Sequence, residues 1–117
     1  MNQETLREYC LTKKYATEEF PFDNVTLVLK VGGKMFAVIP LDTEPRIALK
    51  CDPELAIELR EQYTAVQPAH HFNKKHWNQI IMDDSVSEKQ VKEWIDHSYN
   101  LVYNSLTGKT KENLNKQ

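Results

Sequence analysis

The chain has 117 residues, 40% of them hydrophobic and 27% charged, with a formal net charge of −2. This balance excludes a disordered or fibrous protein and allows one core without disulfide or metal staples. No window nears the ~18 consecutive apolar residues of a membrane span, and the negative net charge argues against a protein that coats nucleic acid by charge alone.

The opening stretch MNQETLREYC is polar and acidic, unlike a secretory signal, so a cytoplasmic, non-membrane protein is expected. Residues 3–13 predict a helix, with Asn2 in the capping position and Leu6, Tyr9 and Cys10 on an apolar stripe. The stretch 16–22 contains Pro21 and alternates weakly, which suits an edge strand. Val25–Val31 and Lys34–Pro40 are apolar, β-branched runs joined by Gly32-Gly33, a hairpin signature. Arg46–Cys51 reads as a third strand, completing an antiparallel meander.

Asp52-Pro53-Glu54 starts a second helix that runs to about Gln62, with an acceptor at the cap, proline in the first turn and an acid at the positive dipole end. Residues 65–82 read as a strand, a short helical turn capped by Asn73, and a strand from Trp77. Ser87 with Gln90 opens a long last helix, in which Val91, Trp94, Ile95, Ser98, Leu101, Val102 and Leu106 share one stripe. That helix is expected to stop at Gly108, leaving 109–117 as a flexible tail after a single domain of residues 1–108. The fold class is therefore α+β: an antiparallel sheet covered on one face by helices.

Chemistry is sparse. The three glycines, at 32, 33 and 108, form no phosphate-cradling loop, and no nucleophile elbow is present. Cys10 and Cys51 fall on inward-facing positions and lack zinc or redox spacing. His70, His71 and His76 match no metal-ligand template and read more simply as rings that fix a turn. The chain thus reads as non-enzymatic, with no metal and no cofactor.

What remains is a sheet face. If Leu27, Leu29, Val31, Ile47 and Leu49 point to the helices, then Val28, Lys30, Arg46, Ala48 and Lys50 point away by strand alternation. Segments 25–51 and 63–82 carry six cations (Lys30, Lys34, Arg46, Lys50, Lys74 and Lys75) against two anions, Asp42 and Glu44. A basic, partly apolar face beside the polar turn Lys74, Lys75, His76 and Trp77 could hold phosphates and stack on bases; a solvated sheet surface has the same pattern.

Five blocks carry a family resemblance: FPF at 20–22, GGKMFA at 32–37, IALKCDPELAIELR at 47–60, HHFNKKHWN at 70–78 and SYNLV at 98–102. In order and spacing they resemble the MmcQ/YjbR family over nearly the whole chain, most specifically in Asn73-Lys74-Lys75-His76-Trp77 and Leu49-Lys50-Cys51-Asp52-Pro53-Glu54. The resemblance implies an α+β domain similar to a double-wing DNA-binding architecture, with no catalytic residues. Carried onto this chain, its motif positions include Lys50, Pro68, His71, Asn73, Lys74, His76 and Trp77. Asn73 is open to reading as a turn cap or a base reader, and Trp77 as a core residue or a stacking platform.

The expectation is a monomer that binds DNA weakly and with little sequence preference through Lys30, Arg46, Lys50, Asn73, Lys74, Lys75, His76 and Trp77. The alternative is a protein-interaction or small-ligand module on the same face, with Val28, Ala48 and Phe36 or Trp77 as an apolar patch.

Overall fold

Helix α1 (Gln3–Leu11) begins where expected in the computed structural model, which describes residues 1–116. The Asn2 side chain accepts from Thr5 N and the Thr5 hydroxyl accepts from Asn2 N, each at 2.9 Å, a reciprocal cap. Strand β1 (Thr17–Glu19) is a short, exposed edge. Strands β2 (Thr26–Val31) and β3 (Lys34–Pro40) form the hairpin, with Gly32 and Gly33 at φ 59° and 83°, a turn backbone that glycine adopts without strain. Strand β4 (Arg46–Lys50) completes the meander.

Asp52 caps α2 (Pro53–Gln62) by accepting from Leu55 N at 3.3 Å. Strands β5 (Val66–Pro68) and β6 (Trp77–Ile81) flank the polar 69–76 segment, and Ser87 caps α3 (Glu88–Ser105) by accepting from Gln90 N at 3.1 Å. The six strands pair antiparallel in the order β1-β2-β3-β4-β6-β5. Helix α3 lies across β2, β3 and β4, α1 rests on β3, and α2 covers β5 and β6. The α+β architecture read from the sequence is the one observed. No helix among the described residues is long and apolar enough to cross a membrane.

Leu27, Leu29, Val31, Ile47 and Leu49 face the helices as alternation requires, and they bury with Leu6, Ile95 and Val102. The alternation breaks once. Leu29 opposes Ala37 and Lys30 opposes Met35, so Phe36 is an extra residue in β3 and both Phe36 and Ala37 join the helix-side core. Beyond the Ala37–Leu49 pair, α3 completes the link between β3 and β4. Ser98 Oγ donates to the Phe36 carbonyl at 2.5 Å and accepts from Lys50 N at 2.9 Å.

The chain's end differs from the expectation. Helix α3 stops at Ser105, and Gly108 opens a further helix instead of ending one. Thr107 caps α4 (Gly108–Asn115) by accepting from Thr110 N at 3.1 Å, and Leu114 is only 9% exposed against the core. The expected flexible tail is thus replaced by packed helix up to Asn115, and the domain does not end at 108; Gln117 lies outside the described residues. A Lys/Asn-rich composition concealed a threonine cap and a single apolar anchor.

Candidate functional site

Register pairs on the outward parity of the sheet are Thr26–Pro40, Val28–Val38, Lys30–Met35, Ala48–Gln79 and Lys50–Trp77. This face was expected to be open, and it is not. Ala69 and Trp77, with Phe72 packed against them, form a second apolar cluster with Val28, Val38 and Ala48, leaving Val28 0% and Ala48 7% exposed. Trp77 is itself 8% exposed and stacks on Phe72, with ring centroids 5.2 Å apart. Its best stacking surface is therefore taken by the protein. Phe36 lies on the opposite face, fully buried and edge-on to Tyr99; of the expected apolar patch, Val28, Ala48 and Trp77 do come together, but buried, and Phe36 does not join them.

The remaining predicted residues separate into anchors and free cations. Lys30 is ion-paired with Glu19 across the sheet edge. Asn73 acts as a cap: its Oδ1 accepts from Lys75 N at 3.0 Å and its carbonyl accepts from His76 N and Trp77 N. The His76 carbonyl accepts from Cys51 N at 2.7 Å, which ties the turn to the end of β4. Arg60 adds a second tie, donating from Nη2 to the Lys74 carbonyl at 2.9 Å. This braced turn displays Lys74 and Lys75, both exposed, next to half-buried Lys50, whose register partner is Trp77. Among the described residues, Arg46, Lys50, Lys74 and Lys75 form no ion pair.

Sequence reasoning missed a cleft of about 540 Å³ at the other end of this face. Its floor includes Val38, Ala48 and Gln79, and its sides come from two separate loops that carry Phe22 and Phe72. Phe22 is 62% exposed. Arg46 lines the cleft; its Nε is buried and has no hydrogen-bonding partner among the described residues. Asp23 and Asp42 also line it; the Asp23 carboxylate is engaged by Val25 N, Thr26 N and the Thr26 hydroxyl, and the Val25 N–H above all holds its pKa below the ordinary value. Parity did point Val38, Arg46, Ala48 and Gln79 outward, but no local signal told which loops would rise around them.

The three histidines of the 70–76 segment do not converge: His71 lines the cleft, and among the described residues no group of three His, Cys, Asp or Glu side chains is placed to hold a metal. Burial pushes the thiol of Cys10 up to about 12 and that of Cys51 up to about 11, so both remain protonated, poor nucleophiles at neutral pH.

Comparison with known proteins agrees with this fold. The YjbR family model matches residues 11–101. The Escherichia coli K12 protein YjbR, itself described as uncharacterized, is 34% identical over 102 residues, which is 86% of each chain. YbdF of Escherichia coli O157:H7 is 33% identical over 104 residues, covering 88% of this chain and 85% of that one. The crystal structure of Deinococcus radiodurans protein DR2400, with a domain designated DUF419, has a TM-score of 0.90 at 35% identity and covers 97% of this chain and 88% of that one. A Pseudomonas syringae protein at 23% identity has a TM-score of 0.76, a likeness of fold alone. With a family model spanning most of its length and a relative 34% identical over 86% of each chain, the chain belongs to the YjbR family.

Proposed function

We propose that this domain is a non-enzymatic, cytosolic DNA-binding protein that holds backbone phosphates weakly and without sequence preference. One observation carries the reading: Lys50, Lys74 and Lys75 gather around a turn braced by Asn73 and Arg60, and none of them is spent on an ion pair among the described residues. A braced turn presents its cations at little further entropic cost, and lysine serves phosphate as a point charge. The double-wing likeness that comes with the family resemblance points the same way. Buried, protonated thiols suit both a reducing compartment and a lack of nucleophilic chemistry.

The roles within the site differ from the first expectation. Lysines 50, 74 and 75 contact phosphate, Asn73 and Trp77 shape the turn, and Lys30 is neutralised by Glu19. Fluorescence anisotropy with a labelled random-sequence duplex tests the reading. About three phosphate contacts correspond to a slope of roughly −3 in log affinity against log salt, and Lys50→Ala/Lys74→Ala should reduce that slope by about 2. No saturable binding at low salt would sink the proposal.

A further inference from the structure

The cleft at the far end of the face from the lysine-bearing turn has a chemistry of its own. Its volume of about 540 Å³ suits a small molecule, and Phe22 and Phe72 offer flat apolar surface from two different loops. Phe22 stands out as the most exposed large apolar side chain among the described residues, 62% against 54% for Ile57. A flat ring stacked on it would recover that surface.

The polar groups narrow the ligand further. Arg46 lines the cleft and forms no ion pair among the described residues; its Nε is shut away from solvent without an acceptor among them, so a ligand is met by the Nη donors of the guanidinium. Gln79, also in the lining, adds an amide with both donor and acceptor capacity. Asp42 adds an acceptor that no donor among the described residues occupies, whereas the Asp23 carboxylate is already engaged by its own turn. Formal charge in the cleft is one cation, Arg46, against two anions, Asp23 and Asp42. A phosphate or other free anion would therefore meet net repulsion, which separates this site from the lysine turn.

We infer that the cleft binds the ring of a nucleobase: a flat, uncharged heteroaromatic stacked on Phe22, presenting an acceptor edge to Arg46 and donors to Asp42. Such a ring carries acceptor and donor positions on one edge, which matches the mixed set of Arg46, Gln79 and Asp42. The ring could arrive as a free nucleoside or as an unstacked base of a single strand. The inference does not depend on phosphate binding at Lys50, Lys74 and Lys75.

The test is an NMR titration of the full chain with guanosine, adenosine, cytidine and thymidine, then with a short mixed-sequence single strand, following backbone amides and the Arg46 Nε–H resonance. Saturable shifts at Phe22, Gln79 and the Arg46 Nε–H are expected with at least one nucleoside or with the strand. Phe22→Ala, at an exposed position, and Arg46→Met, which keeps an apolar stem, should each weaken binding about tenfold. Response to the strand but to no nucleoside assigns the cleft to an unstacked base; response to nucleosides assigns it to the free molecule. Shifts confined to Lys50, Lys74 and Lys75 would overturn the inference and leave phosphate binding standing. No saturable shift at the cleft with any probe, or affinity unchanged by both substitutions, would also overturn it.

Discussion

Ser98 shows how much a single hydroxyl can carry. It lies on the buried stripe of α3, where a serine reads as a weak core residue, yet its Oγ bridges the Phe36 carbonyl and Lys50 N just past the point where β3 and β4 stop pairing. Removing it strands a buried acceptor and a donor together. Ser98→Ala is expected to lower stability by about 1–3 kcal/mol, read as a drop in urea midpoint with an unchanged m-value. An unchanged midpoint would mean that the two strands hold that junction without the helix. The stripe was legible from helical spacing; the hydroxyl's task was not, because the bulge at Phe36 is set by register between strands and leaves no mark in the β3 sequence alone.

At the scale of elements, the signals that act locally set the boundaries. The caps at Asn2, Asp52 and Ser87 and the glycine pair of the hairpin act within a few residues of themselves, so each boundary is written beside it. Helix α4 is the contrasting case. Its stability is tertiary: Leu114 is buried, and the junction ahead of the helix sits so close to the hairpin turn that a Cβ on Gly32 would lie 2.7 Å from Leu106 Cδ1. A short polar helix has little stability without such docking. Leu114→Ala should therefore cost about 2 kcal/mol, at the low end for leucine truncations because the site is at the margin of the core. Hydrogen exchange would show the loss first at the amides of 110–115. A tail free in solution would show neither effect.

For the whole molecule, pH exposes two opposed sets of groups. A hydrogen bond from Arg7 holds Glu18 below its ordinary 4.5, and donors from Val25 and Ser85 hold Asp23 and Asp83 below 3.8. A carboxyl depressed by folding contributes fully above its unfolded value and loses that contribution as pH falls through the folded one. The buried thiols run the other way, raised from 9.0 to about 12 for Cys10 and about 11 for Cys51, so their contribution is complete below 9.0 and lost as pH rises. Urea midpoints should be flat between about pH 5 and 8, falling below about 4 and above about 9. A midpoint still rising below pH 4 would contradict the carboxylate assignments.

Residue pattern alone determined the α+β class, the meander, the capped helices and the inward set from Leu27 to Leu49, because period and capping are properties of neighbouring residues. Parity likewise sent Lys30, Arg46 and Lys50 outward. Whether an outward residue is free was another matter. Glu19 pairs with Lys30 because β1 lies on that edge, Ala69 and Phe72 join Trp77 over Val28 and Ala48 because the 69–76 segment folds back over the sheet, and the Phe22 loop leaves Arg46 in a cleft. Only the tertiary structure decided these outcomes, since a strand's alternation tells which way a side chain points but not which distant segment comes to meet it.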